Sequence, residues 1–208
     1  MINCAKCGIY SCYIKDAEKF PANCPMRNHN DLIEEAAAAY RDEVTGSLAY
    51  NSARVEATGY GNWPRIREIM EFSRRSGFKK LGLAFCVGLR REALEVTKIF
   101  EDNGFQVASV MCKTGSRPKE ELGIKDEEKV RPGRFEAMCN PVAQAMLLNK
   151  ELTDMNILLG LCVGHDTLFI KYSRAPITVL AVKDRATGHN PLAAVYATHY
   201  FNKKLKIT

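Results

Sequence analysis

The spacing of apolar residues changes twice along this 208-residue chain. Residues 1–28 have no helical or strand periodicity long enough to fold alone, so their structure must come from what they bind. From Asp31, which suits a helix N-cap, apolar residues recur at helical spacing, and two more helical stretches follow at about 47–58 and 64–75. We therefore predict three helices before the first strand.

Strand and helix signals alternate over residues 79–208. The predicted strands lie at 80–85, 105–111, 155–161 and 177–182, and the predicted helices at 90–103, 141–150, from about 167, and at 191–205. The apolar runs LGLAF, NILLGL and ITVLAV are typical of strands buried on both faces of a parallel sheet. The sequence predicts an α/β fold, a Rossmann-like, mostly parallel sheet with helices on both faces. A cysteine-rich segment at 1–28 and a helical region at 29–78, packed on the core, precede it.

Eight cysteines fall into two sets of four. The first set is a C-x2-C-x4-C-x11-C-P run of Cys4, Cys7, Cys12 and Cys24. The second set is spread along the alternating region, as Cys86, Cys112, Cys139 and Cys162. Four thiolates are what an iron–sulfur cluster or a structural zinc ion requires. The cysteine pattern therefore predicts two metal sites in this chain.

Composition and the N-terminal sequence indicate where these thiols reside. No apolar stretch suits a signal peptide, and none approaches the ~18 residues of a membrane span, so a cytoplasmic protein with reduced thiols and no membrane partner is expected. The net charge of +6 suits an acidic electron-donor protein or an anionic substrate. Basic residues are too dispersed to indicate nucleic-acid binding. The oligomeric state is left open.

The second cysteine set is expected to converge at one edge of the sheet. Three of its cysteines directly follow predicted strands, and Cys139 precedes a helix start, so all four belong at the carboxyl ends of the strands. The motif FCVG recurs as LCVG, and CNPVA recurs as HNPLA. These echoes predict that Gly88, Asn140, Gly164 and His189 border a bound cofactor. The alternative is that Cys86 and Cys162 are small buried apolar residues.

Two polar residues follow Cys162 and are the predicted catalytic groups. His165 and Asp166 lie within GLCVGHD, next to the expected site. His165 suits either an additional metal ligand or a proton donor to a substrate. Either residue could instead only cap the helix that follows. A third possibility is thiol chemistry with Cys162 as nucleophile and His165 as base, but it leaves the other three cysteines unexplained.

The cysteine spacing of the first set favours a 4Fe-4S cluster, with zinc as the alternative. The leading hypothesis is an iron–sulfur reductase in which this cluster passes an electron to a second cluster held by Cys86, Cys112, Cys139 and Cys162. Residues 113–136, a long polar excursion, would cover a small substrate there. The alternative is a zinc-binding structural or metal-handling protein without catalysis.

An ordered set of motifs resembles a known family. The set runs CAKCGIYSC, NCPMRN, ATGYGNWPRIREI, LGLAFCVGLRREA, KDEEKVRPGRFEAMCNPVAQA, LGLCVGHDTLFIKYS and AVKDRATGHNPLAA. It resembles a family of small, uncharacterised bacterial and archaeal proteins predicted to bind metal, across essentially the whole chain. The resemblance implies metal binding at Cys4, Cys7, Cys12 and Cys24, and no particular reaction.

A looser similarity concerns only the spacing of the first cysteine set. This spacing is similar to that of the segment holding an electron-relay 4Fe-4S cluster in carbon monoxide dehydrogenases and, less closely, in hybrid-cluster proteins. Those enzymes hold a second, catalytic cluster through cysteines and a histidine on Rossmann-like domains. The present chain is much shorter and lacks the rest of their sequence, so the similarity implies an arrangement and not an activity.

Overall fold

The computed structural model describes residues 1–206. The chain divides into two compact units, Met1–Tyr60 and Gly61–Thr208. The division places the third predicted helix in the second unit and not with the first two. In the described part of the chain, no helix is both long enough and apolar enough to cross a membrane.

The first unit consists of short turns followed by two longer helices. Its helices are α1 (Ser11–Ile14), α2 (Pro25–Asn28), α3 (Asn30–Ala39) and α4 (Glu43–Gly59). Single 3-10 turns occur at Cys4–Lys6 and Ala17–Lys19. The N-cap assigned to Asp31 is wrong, because α3 begins one residue earlier and Asp31 lies in its first turn. A side-chain cap forms instead at α4, where Asp42 accepts a 2.8 Å hydrogen bond from the Thr45 amide.

The second unit contains a four-stranded, entirely parallel sheet. The strands are β1 (Lys80–Phe85), β2 (Gln106–Met111), β3 (Met155–Leu159) and β4 (Ile177–Ala181). The helices are α5 (Arg65–Arg75), α6 (Arg90–Asp102), α7 (Pro141–Lys150), α8 (His165–Tyr172), α9 (Leu192–Tyr196) and α10 (Thr198–Leu205). The predicted α/β fold is confirmed. The last predicted helix is divided into α9 and α10 at Ala197, whose backbone is not helical.

Helices cover both faces of the sheet. On one face, Met70 of α5 and Phe100 of α6 pack with Leu81, Leu83 and other apolar residues of the sheet. On the other face, Leu148 of α7 and Phe169 of α8 pack with Ala84, Leu158 and their neighbours. β3 is buried along its whole length, as predicted, but β4 is only half-buried. The prediction that ITVLAV is buried on both faces is therefore wrong, because β4 lies at the edge of the sheet.

The strand order is β2-β1-β3-β4. The chain therefore moves outward in one direction from β1 and in the opposite direction from β3. The boundary between β1 and β3 is the topological switch point, where the loops at the carboxyl ends diverge and leave a crevice. The loops that follow β1 and β3 carry the two related motifs FCVG and LCVG.

A buried asparagine links β3 to the segments around it. Asn156 is fully buried, its Oδ1 accepts a 2.8 Å hydrogen bond from Thr153, and its Nδ2 donates a 2.8 Å bond to Ser173. Gly82 on β1 lies opposite, and a Cβ placed there would be 1.9 Å from Asn156 Oδ1. A side chain at position 82 would therefore force Asn156 or the strands to shift.

We predict that Gly82→Ala lowers the free energy of unfolding by about 1–3 kcal/mol, because Asn156 is held by its hydrogen bonds and cannot turn away. Chemical denaturation of the purified protein measures this change. Gly88→Ala is the matched control, since its Cβ would be 3.6 Å from the nearest atom, an ordinary contact. Equal stability of the two variants would contradict the prediction.

Candidate functional site

Two cysteines of the second set lie side by side where β1 and β2 end. The strands pair in a register that sets Phe85 opposite Met111, so Cys86 and Cys112 follow at neighbouring positions. The Cys112 amide donates a 2.9 Å hydrogen bond to the Phe85 carbonyl, and the Cys86 amide donates one of 3.1 Å to Leu159. Both thiols are buried, at 6% and 2% exposure. The sheet ladder itself thus fixes their backbones.

A third cysteine reaches the same place from the start of α7. The Asn140 amide donates a 2.7 Å hydrogen bond to the Cys112 carbonyl. Cys139, the residue before it, has its Sγ 3.8 Å from the Cys112 Sγ. The Asn140 side chain accepts a 3.0 Å hydrogen bond from the Ala143 amide and so caps α7. The predicted cofactor contact of Asn140 stays a prediction, whereas its capping role is explicit.

Cys162 lies in the loop after β3 and is paired with an arginine. Arg185 Nη2 donates to the Cys162 Sγ at 3.4 Å, and this thiol raises the arginine pKa. Arg185 also interacts electrostatically with Cys86 and Cys139, so it faces the wider thiol group. Lys183, two residues earlier, hydrogen-bonds Cys86.

Sequence reasoning assigned no role to Lys183 or Arg185. The available signal was their position, because AVKDR continues directly from β4 at the same carboxyl edge of the sheet. The backbone confirms that course, since the Lys183 amide donates a 3.2 Å hydrogen bond to the Leu161 carbonyl. Two cations are thus carried to the loop that contains Cys162.

The thiols of Cys86, Cys112 and Cys139 differ in pKa, and therefore in how readily each loses its proton. Hydrogen bonds from Cys112 and then His165 lower the pKa of Cys139 to about 3. The hydrogen bond with Cys112, assisted by the Gly88 amide and Lys183, lowers the pKa of Cys86 to about 5. Hydrogen bonds to Cys139 and Cys86, together with burial, raise the pKa of Cys112. A protonated Cys112 therefore lies between two thiolates.

The two predicted catalytic residues behave differently. His165 begins α8 and hydrogen-bonds Cys139, and that contact raises the pKa of the imidazole. Asp166 accepts a 2.8 Å hydrogen bond from the Thr167 amide through its own side chain, a local contact at the helix start. The structure therefore brings His165 to the thiols and gives Asp166 a local contact within the first turn of α8, and the catalytic roles of both residues stay predictions.

Gly88, Gly164 and His189 were also predicted to border a cofactor, and each has a different environment in the structure. The Gly88 amide hydrogen-bonds the Cys86 sulfur, which places this glycine at the site. Gly164, with φ of +82°, forms the left-handed turn that precedes α8. His189 Nδ1 accepts a 3.1 Å hydrogen bond from the Asp184 amide and closes a turn. The sequence echo therefore does not give His189 the contacts of Cys139.

The first cysteine set lies in the first unit. Cys4 and Cys12 are exposed, whereas Cys7 and Cys24 are half-buried. Backbone hydrogen bonds from Tyr10 and Ile9 lower the pKa of Cys7. Amide donors of this kind stabilise a thiolate and orient it as a ligand. Cys24 directly precedes α2, which begins at Pro25.

Ligands for one ion and ligands for a cluster are spaced differently. Within residues 1–206, no group of three or more histidine, cysteine, aspartate or glutamate side chains is arranged to hold a metal ion. A four-iron cluster binds each thiolate through a different iron atom, so its ligand sulfurs lie farther apart than those around one ion. The Cys112 and Cys139 sulfurs, 3.8 Å apart, would have to separate to hold such a cluster. The chemistry of the donor set around Cys86, Cys112, Cys139 and Cys162 suits such a cluster, because thiolates are its preferred ligands.

Backbone contacts join the two ends of the excursion over residues 113–136. An antiparallel bridge joins Pro118 to Ala137, and the Met138 amide donates a 2.7 Å hydrogen bond to the Arg117 carbonyl. Within the excursion, the nearly buried amine of Lys129 contacts Glu120 and Asp126. The excursion therefore begins and ends beside Cys112 and Cys139. Its predicted role as a lid stays a prediction.

Comparison with known proteins identifies the family. Residues 24–180 match a family model described as "Protein of unknown function (DUF1847)". The chain belongs to this family. It is also 40% identical, over 206 residues and 99% of both chains, to an uncharacterised protein of Methanocaldococcus jannaschii. No solved structure matches it significantly. The family match includes all four cysteines of the second set and, from the first set, Cys24.

We predict that iodoacetamide labels Cys139 of the metal-free protein at about pH 6, where an ordinary thiol with a pKa near 8.5 is almost entirely protonated. The lowered pKa of Cys139, about 3, keeps this half-buried sulfur a thiolate at that pH. Mass spectrometry of peptides locates the label. The same protein in denaturant is the control, because unfolding removes the contacts with Cys112 and His165 and must suppress labelling at this pH.

Proposed function

We propose that this protein is an iron–sulfur redox protein whose second cluster binds at the carboxyl edge of the sheet. One observation carries the proposal: Cys86, Cys112 and Cys139 come from three distant parts of the chain and lie together at one edge of the sheet. Cys162, from a fourth part, enters the same charge network through Arg185. Cys86 and Cys112 also belong to the buried cluster on one face of the sheet, with Cys139 packed against it. The lowered pKa values of Cys86 and Cys139 and the cations beside them favour a ligand site in addition to that packing role.

The surroundings of the thiols support a cluster in two ways. The amides of Val87 and Gly88 hydrogen-bond the sulfurs of Cys112 and Cys86, at 3.3 Å for the first pair. Cationic side chains at 113, 183 and 185 offset negative charge at the site. Thiolate ligation, amide-to-sulfur hydrogen bonds and nearby cations are the features with which proteins hold and tune iron–sulfur clusters. When bound, such a cluster supplies one-electron transfer.

The first cysteine set suits an electron-relay centre. Its exposed thiols are accessible to an external electron-donor protein, and the net charge of +6 favours an acidic one. We propose that an electron received there continues to the second cluster. If a small substrate is reduced at that cluster, His165 is placed to donate the proton. Two resemblances expected from the sequence would agree with this proposal: that to a family predicted to bind metal, and the looser one of the cysteine spacing to the relay segment of carbon monoxide dehydrogenases.

The deciding experiment is anaerobic purification followed by iron, zinc and acid-labile sulfide analysis. We predict about eight iron and eight sulfide per chain, since two 4Fe-4S clusters are expected. Cys112→Ser should remove about half of this content and leave the first cluster, and Cys4→Ser should do the reverse, so each variant is the control for the other. About one zinc without sulfide would overturn the proposal in favour of a zinc-stabilised or metal-handling protein.

We predict that Arg185→Gln lowers the reduction potential of the second cluster. Reduction adds negative charge, and the guanidinium beside the Cys162 sulfur stabilises that charge. For an exposed cation the effect is on the order of 1 kcal/mol, or about 40 mV for one electron. Potentiometric titration followed by electron paramagnetic resonance measures it.

Arg174→Gln is the matched control for this substitution. Arg174 is also exposed, but it precedes β4 and therefore lies toward the amino end of the strand, away from the thiols. Its backbone amide, and not its guanidinium, makes a 2.9 Å hydrogen bond to Asn149. An equal potential shift in both variants would show that only net charge matters and would contradict a specific role for Arg185.

A further inference from the structure

We propose that Cys112 and Cys139 are an oxidative modification site, at which a reversible disulfide forms when the metal-free protein meets a peroxide. The inference goes beyond the proposed function, because it concerns the protein without its metal. It depends on the geometry of two sulfurs and on the exposure of each, and it holds whichever metal the thiols bind.

The two sulfurs are already close to bonding distance. They are 3.8 Å apart, and a disulfide requires about 2.05 Å, so each needs to move by roughly 1 Å. The backbones are tied together, since the residue after Cys139 donates a 2.7 Å hydrogen bond to the Cys112 carbonyl. Small side-chain rotations can therefore close the bond while the strand and helix stay in place.

Other pairings in the second set are less favourable. The Cys86 sulfur is hydrogen-bonded by the Gly88 amide of its own loop and by Lys183 of the segment after β4. The Cys162 sulfur is engaged by Arg185 at 3.4 Å. Cys112 is the principal partner of both Cys86 and Cys139, but its sulfur lies 3.8 Å from that of Cys139, and their backbones are joined by the Asn140 hydrogen bond. The geometry therefore favours one specific disulfide among the four cysteines.

Exposure sets the order of the two chemical steps. Cys139 is half-buried and meets the oxidant first, whereas Cys112 is only 2% exposed. The Cys139 thiolate attacks one oxygen of hydrogen peroxide, the O–O bond breaks, and a sulfenic acid and a hydroxide ion result, the hydroxide taking a proton from solvent to form water. The Cys112 sulfur then attacks the sulfenic sulfur, the S–O bond breaks, and the departing hydroxide takes the Cys112 proton to form water. Two thiols are oxidised and one peroxide is reduced to two waters.

This disulfide would have two consequences. It withdraws two of the four thiolates of the second set, so a cluster cannot assemble while the bond is present. It also closes a loop of 27 residues at the base of the folded excursion, beside the Pro118–Ala137 bridge. Oxidation would therefore shut the metal site and preserve the local fold until a thiol reductant reopens it.

The test uses the full-length, metal-free, reduced protein treated with an equimolar amount of hydrogen peroxide. Digestion under non-reducing conditions and mass spectrometry should identify a Cys112–Cys139 linked peptide as the main product within the second set. Dithiothreitol should reverse it. Oxidised protein should take up iron and sulfide only at the first cysteine set, and reduction should restore uptake at the second.

Three variants make the result specific. Cys139→Ser must abolish the linked peptide, and Cys86→Ser, the matched control, must retain it. Cys112→Ser should leave Cys139 as a sulfenic acid, detected with dimedone. A dominant link between Cys86 and Cys112, or oxidation of Cys139 to a sulfinic acid without a bond in the parent protein, would overturn the proposal. Failure of reduced protein to bind iron would instead count against the proposed function and leave the disulfide result intact.

Discussion

The parallel pairing of β1 with both β2 and β3 is the constraint on which the rest of the structure depends. It sets Cys86 and Cys112 at neighbouring ladder positions and directs the loops after β1 and β3 apart. It also requires Gly82, because the side chain of Asn156 occupies the space where a Cβ would lie. A slip in this register would move the thiols to opposite faces, so the core and the site share one determinant.

The second constraint on the structure is the negative charge of the thiolates at the carboxyl edge of the sheet. Partly buried thiolates are unfavourable unless donors or cations face them. Here backbone amides, His165, Lys183 and Arg185 provide that compensation from three separate loops. The same groups that stabilise thiolates in the metal-free protein are suited to offset the charge of a bound cluster. The charge of the thiolates is therefore offset in the metal-free protein.

The proposed cluster and the proposed disulfide make opposite use of the same sulfurs. Ligation requires thiolates that point to a common centre, whereas oxidation requires two of them to approach each other. Cys112 and Cys139 suit both because one is fixed by the sheet ladder and the other by the start of α7. The excursion between them begins and ends beside this pair, and the Pro118–Ala137 bridge joins its two ends.

Local pattern in the sequence determined the element types, the parallel sheet and the location of four cysteines at strand ends or a helix start, because periodicity and burial are encoded over a few neighbouring residues. The local sequence pattern did not predict three features of the structure. The half-burial of β4 follows from its position at the edge of the sheet, and neither the break at Ala197 nor the start of α3 before Asp31 was predicted from the local pattern. Only the tertiary structure decided the strand order β2-β1-β3-β4, and with it that Cys139 pairs with Cys112 and that Arg185 faces Cys162. Those contacts join residues far apart in the chain, and their energies are set by pairing and burial that no local pattern contains.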